Sequence, residues 1–385
     1  MKTRFGRRPI KYHMKYKISL GIAAAAVVVI FTLKSCKSGN QADNNVTVTP
    51  EAGTSYKTGD KVAVQAHYPQ GTKADSVVYL LDSVRVGSKK DSTAITLQTD
   101  TMRLGPRIIT AKVYSAGKSQ DASTNIVLLP AKAPVAYTYK VIKTFPHDTS
   151  CFTEGLVYQD GYLYESGGGY LKPPQGQEVT NQSSLRKVDL NTGKVLQKTL
   201  LDSAVFGEGI SIIGDKIIQL TYFEKIGYVY DKSSFKLLKT FQNNVGVQGW
   251  GMCFDGNKLY MDDSTNRLWF LDKNTFKAIG YIDVYDDKGP VNEINELEYI
   301  DGKIYANIWR TNTIIAIDPK TGAVLEKIDL TNLYPEEKRV PGADVLNGIA
   351  YDAAGQRIFI TGKRWPVLFQ VEFNPTPQPP KGGAK

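Results

Sequence analysis

A carboxylate, an ammonium, side-chain amides and large aromatics recur at corresponding points of a repeating pattern in the C-terminal two-thirds of this 385-residue chain. Phe152 with Glu154, Glu208, Trp250, Asn295 with Glu296, and Asn347 stand at the starts of one kind of apolar segment. Tyr222, Asp262 with Asp263, Asn307 with Trp309, and Lys363 with Trp365 stand at the ends of the segment that follows. Brought to one point, these residue types make a polar floor with apolar walls, the common build of a small-ligand pocket. A partly buried carboxylate can take and return a proton, and an ammonium or amide can stabilise a developing oxyanion. Singly, each residue has a plainer reading. Glu208 could accept a hydrogen bond between segments, the tryptophans could be packing, Asn295 and Asn347 could cap turns, and Lys363 could be a solvated charge. Their shared placement favours a site.

Absent residues narrow the chemistry. The three histidines, His13, His67 and His147, are scattered and provide no cluster for a catalytic zinc. No Gly-x-Ser-x-Gly elbow is present, and Gly167-Gly-Gly169 lacks the Lys-Ser/Thr context of a phosphate loop. Catalysis is therefore expected to rest on carboxylates, with no metal and no cofactor.

The elements that position these residues come from internal repetition. A turn glycine followed by an apolar-aromatic run occurs five times, at Gly161, Gly214, Gly256, Gly302 and Gly355. Each is followed by a run into an acidic turn, at Asp189, Asp231, Asp272, Asp318 and Glu372. A third segment precedes each glycine and a fourth follows four of the acidic turns. The missing fifth copy has an obvious substitute in Tyr139-Lys-Val-Ile-Lys-Thr-Phe145, which resembles Lys236-Leu-Leu-Lys-Thr-Phe241. Four-strand repeats of this length are propeller blades, and a borrowed terminal strand closes the ring. The fold expected over residues 137–374 is an all-β, five-bladed propeller. Antiparallel strands then bring the segment starts and ends named above to one mouth of the central channel.

Several ordered motifs resemble the plant and bacterial type of glutaminyl-peptide cyclotransferase. They include Phe145-Pro-His-Asp148, Cys151-Phe-Thr-Glu-Gly-Leu156, Phe206-Gly-Glu-Gly209, Gly249-Trp-Gly251, Asn295-Glu-Leu-Glu-Tyr299, Ala306-Asn-Ile-Trp309 and Thr361-Gly-Lys-Arg-Trp-Pro366. The resemblance covers Tyr137 to Phe373 and implies a five-bladed propeller that converts N-terminal Gln to pyroglutamate with loss of ammonia. It further implies Glu208 as the central carboxylate, Asn295 and Lys363 as catalytic partners, and Phe152, Trp250 and Trp309 around the substrate. Glu154 stands where that family commonly has Gln, and Tyr222 where it commonly has Trp. Trp365 and Asn347 complete the expected substrate-binding set. Two other readings compete: a non-catalytic propeller presenting peptides or glycans, and a lactonase-like hydrolase whose ion Glu208, Asn295 and Asn347 would hold.

The remaining chain bounds the setting. Hydrophobic residues make up 42% and charged residues 22%, ordinary for a globular protein. The net charge of +10 is misleading, since residues 1–35 hold eight basic and no acidic side chains and leave +2 for the rest. That balance excludes a nucleic-acid polyelectrolyte. Residues 1–35 read as a secretory leader, with a basic start and an apolar run from Ile18 to Leu33. Leu33-Lys34-Ser35-Cys36 resembles a lipobox, so Cys36 is the expected lipidation site, 36–45 a tether, and the cell envelope the expected location. Membrane contact is then limited to the lipid. Residues 46–130 alternate like a small immunoglobulin-like β-sandwich, 131–136 are the expected linker, and 375–385 an unstructured tail. A monomer acting on Gln-initiated peptides or proteins is the resulting expectation.

Overall fold

The computed structural model describes residues 46–69 and 71–377. The expected leader, Cys36, the tether to residue 45 and the end of the tail lie outside the described residues. Among those described, strands are the regular element throughout, apart from one 3-10 turn at Glu336–Lys338.

The first part has two sheets. One runs Thr47–Thr49, Lys61–His67, Ile95–Gln98; the other runs Thr54–Lys57, Lys118–Leu129, Gly105–Ser115, Ser76–Leu81, Val84–Lys89. Period-two alternation in Lys61–His67 turns Val62, Val64 and Ala66 inward. They meet Val77, Tyr79, Ile109, Ala111 and Ile126 in one core. Tyr285 of the following part reaches this one, packing with Leu104 and Leu128 and lying 3.0 Å from where a Cβ on Gly105 would sit.

The second part is β-propeller-like. Four-stranded antiparallel sheets follow one another along the chain, each with its first strand innermost. Those inner strands are Thr153–Gln159, Gly207–Ile213, Met252–Phe254, Ile294–Ile300 and Leu346–Asp352. The sheet of Leu346–Asp352 takes its fourth strand from the start of the domain, because Val135–Pro146 pairs antiparallel with Val367–Pro375. Val135–Pro146 also pairs in parallel with Val324–Asp329 over Val135, Ala136 and Tyr137. Two expected boundaries change as a result. The linker expected over 131–136 already contains strand residues. The tail expected from 375 begins later, since Pro375 pairs with Tyr137 and the Thr376 amide donates to Ala136 O.

The recurring acidic turns have a local cause. Asp189, Asp231 and Asp272 each accept the amide of the residue three positions on, together with that residue's Thr or Ser hydroxyl. Such side-chain turns satisfy backbone donors where a strand reverses. Inner strands approach one another closely. A Cβ on Gly155 would lie 2.6 Å from Ile210 N, one on Gly209 2.4 Å from Trp250 O, and one on Gly251 2.2 Å from Asn295 O. Glu296 interrupts the glycine series, and its buried carboxylate accepts the amides of Leu156 and Ile349 from two other inner strands.

Candidate active site

Four of the five inner strands begin with a break in register. The breaks fall between Thr153 and Gly155, Gly207 and Ile210, Ile294 and Leu297, and Leu346 and Ile349. Glu154, Glu208, Asn295 and Asn347 sit in those breaks. A bulge takes a residue out of the ladder and re-aims its side chain, so the repeat that builds the fold also turns polar groups toward its centre.

Glu154, Glu208 and Asn295 meet in a cavity of about 450 Å³. Lys363 closes the floor, following the end of the strand Arg357–Gly362. Phe152, Phe206, Tyr222, Trp250 and Trp309 form the wall. The rings touch in sequence: Phe152 to Phe206 at 6.3 Å, Phe206 to Tyr222 at 5.8 Å, Tyr222 to Trp250 at 6.5 Å and Trp250 to Trp309 at 5.5 Å between centroids. Such a wall excludes water and strengthens the electrostatics of the floor.

That floor holds two carboxylates and one ammonium. Lys363 Nζ lies 2.7 Å from each oxygen of Glu154. Asn347 Nδ2 donates to Glu154 Oε2 at 3.3 Å and to Thr153 O at 2.9 Å. Burial pushes Glu154 up to about 7 although Lys363 draws it down. Glu208 is 4% exposed and takes no hydrogen bond from the described residues. Burial first, and the neighbouring Glu154 charge second, hold its carboxyl well above the usual range. Two further polar atoms of lining residues are buried without a partner, Trp250 Nε1 and Asn295 Oδ1. A buried polar group without a partner is costly and marks a place for a ligand or water. The cavity therefore brings a buried carboxylate together with lining residues that hold an unpartnered donor and an unpartnered acceptor.

Comparison with known proteins identifies the family. The profile of the family described as glutamine cyclotransferase matches residues 108–373, which contain every pocket residue named above. The chain belongs to the glutamine cyclotransferase family. It is 38% identical over 237 residues to a glutaminyl-peptide cyclotransferase of Arabidopsis thaliana, spanning 61% of this chain and 71% of that relative. It also matches the crystal structure of Myxococcus xanthus glutaminyl cyclase, with a TM-score of 0.56 and 34% identity over 63% of this chain and 100% of that one.

Two residues expected to contact the substrate, Trp365 and Asn347, lie outside the lining of this cavity. Trp365 does not line the pocket. Its indole lies flat on Gly362, donates from Nε1 to Asp344 O at 2.8 Å and packs edge-on against Tyr334, 1% exposed. Asn347 is also behind the surface, where it orients Glu154. Conversely, Phe206 and Tyr170 line the cavity and were not expected to. Phe206 was findable, because Phe206-Gly-Glu208 repeats the spacing of Phe152-Thr-Glu154. Tyr170 lies outside the repeats, in the stretch after Tyr162–Gly167, and is fixed by its hydroxyl donating to Glu224 at 2.8 Å.

A buried network beneath the floor joins the segments that carry Glu154 and Lys363. His147 bonds Trp365 O at 2.7 Å and Glu165 at 2.9 Å, and Thr153 Oγ1 donates to Glu165 at 2.7 Å. Burial opposes charge on His147, yet Glu165 overrides it and raises the imidazole above its ordinary value. Burial likewise opposes charge on Glu165, but His147 and Arg186 pull it down to about 2. Both shifts favour the ion pair.

Proposed function

We propose that the chain cyclises N-terminal glutamine on peptides or proteins, without a metal, as a glutaminyl-peptide cyclotransferase built on a five-bladed propeller behind an immunoglobulin-like sandwich. The observation that carries the reading is Glu208, a buried carboxylate that takes no hydrogen bond from the described residues, on the floor of an aromatic pocket. The neutral α-amine of the substrate forms a bond to its own side-chain amide carbon. Glu208 takes the proton the amine gives up and returns it to the amide nitrogen as that carbon–nitrogen bond breaks and ammonia leaves. Trp250 Nε1 and the Lys363 ammonium stabilise the oxyanion of the tetrahedral intermediate, and Asn295 Oδ1 receives an amide N–H. The wall holds the side chain folded back on the amine, so attack within one molecule supplies much of the acceleration.

The test is pyroglutamate and ammonia production from a short Gln-initiated peptide by the wild-type chain and by Glu208→Gln. Loss of turnover with unchanged thermal unfolding supports the role; near-normal turnover by a folded Glu208→Gln rejects it. The apolar run before Cys36 supports export and lipid anchoring in the cell envelope. Cys36→Ser should then shift the protein from the detergent phase to the aqueous phase, and unchanged partitioning would count against the anchor.

A further inference from the structure

We infer that Glu154 is a specificity-determining residue that makes the pocket reject an N-terminal residue with a carboxylate side chain, by occupying Lys363. The inference rests on the cyclotransferase reading and adds which side chain the site turns away. Glutamate and glutamine have nearly the same shape, so the aromatic wall cannot separate them. Discrimination must come from charge and hydrogen bonding.

Lys363 is the one cation on the floor among the described residues. Left free, it would be the natural partner of an incoming carboxylate. It is not free. Both oxygens of Glu154 lie 2.7 Å from Nζ, and the two side chains are 5% and 3% exposed. Asn347 holds Glu154 in that orientation through Oε2, and Lys363 also sits 4.7 Å over the Phe152 ring. The other cation of the lining, Arg310, is exposed and stacked 4.0 Å over Trp309. A carboxylate in the pocket would face the second buried acid, Glu208, while Lys363 offers it a spare N–H donor but a charge already offset by Glu154.

The unsatisfied atoms point the same way. Trp250 Nε1 needs an acceptor and Asn295 Oδ1 needs a donor. A primary amide supplies both, whereas an ionised carboxylate accepts only and would set lone pairs against Asn295 Oδ1 and Glu208. A site built to hydrogen-bond a group rejects the analogue that cannot return the bond.

The experiment compares two peptides identical except for Gln or Glu at the first position, near pH 8, where the glutamate side chain is ionised. In the wild-type chain the Glu peptide should be a weak competitive inhibitor of Gln-peptide turnover, with an inhibition constant at least about tenfold above the KM of the Gln peptide. In Glu154→Gln, Lys363 becomes available. The inhibition constant should drop at least about tenfold, and at least about threefold more than any change in the KM for the Gln peptide. Glu154→Asp, which keeps the charge, should preserve the discrimination. Equal movement of both constants in Glu154→Gln, or wild-type binding of the Glu peptide as tight as that of the Gln peptide, overturns the inference. If Glu154→Gln does not fold, the same two constants are read in Asn347→Ala, which releases Glu154 Oε2, and unchanged discrimination there overturns the inference. If the wild-type chain turns over no Gln peptide, the cyclotransferase reading fails on its own, and calorimetric binding of the two peptides still reads the discrimination.

Discussion

Replacing His147 by Gln should cost stability in a way that depends on pH. His147 and Glu165 are 2% and 1% exposed and 2.9 Å apart. In the fold the Glu165 carboxyl lies at about 2, against an ordinary 4.5. At about 1.4 kcal/mol per unit, that displacement corresponds to about 3 kcal/mol of stability once Glu165 is ionised in both states. Breaking a buried pair by removing one partner typically costs about 3–5 kcal/mol, the same range. A depressed carboxyl contributes stability that is fully present above 4.5 and lost as pH falls through about 2. His147 has the opposite sign. Its raised value stabilises the fold at low pH, and that contribution is lost as pH rises through the folded value. Arg186 and Thr153 also lower the Glu165 carboxyl and remain in the variant, so His147→Gln should unfold with about 1–3 kcal/mol less free energy near pH 7, and the Glu165 part of the deficit should shrink near pH 3. Urea unfolding of both proteins at the two pH values measures this. A deficit below about 1 kcal/mol near neutrality, or one that does not change with pH, would refute the reasoning.

Gly209→Ala places a Cβ 2.4 Å from Trp250 O and 2.7 Å from Met252 N, beside Glu208. Backbone cannot move aside like a flexible side chain, so the variant should lose about 1–3 kcal/mol in thermal unfolding and most of its turnover; a variant that is stable and active would show the inner strands to be looser than described. The pH profile of kcat should have an acid limb set by Glu208, because its carboxyl is raised by burial and next by Glu154, and turnover grows as it ionises. Removing the Glu154 charge and freeing Lys363 both favour ionised Glu208, so Glu154→Gln should move that limb to lower pH. An unmoved limb would separate the two carboxylates. Exhaustive chelation should leave turnover of a Gln-initiated peptide unchanged, whereas loss restored by added metal would favour the hydrolase-like alternative.

The organisation was legible because it is written in repetition. Turn glycines and acidic turns recur where backbone conformation and unsatisfied amides demand them, as at Asp231, where the Ser234 amide and hydroxyl both bond the carboxylate. Residue type at a repeated position also revealed most of the pocket, since Glu154, Glu208 and Asn295 occupy equivalent register breaks. What sequence could not supply was the choice between neighbours a residue or two apart. Lys363 and Trp365 both follow the same strand, yet Arg364 between them takes φ 58° and the chain turns, leaving the lysine on the floor and the indole folded against Gly362. Nor does repetition reveal pairing across the ring closure. Glu154 and Lys363 are 209 positions apart and come from different repeats. Each alone reads as an ordinary polar residue at a channel mouth. Their contact changes what the site can bind, because a free lysine would attract a carboxylate and a paired one presents only spare N–H donors. Selectivity in this pocket therefore depends on a contact between repeats, whereas its position depends on the repeats themselves. Substitutions at Glu154 should accordingly change which peptides bind far more than they change the fold.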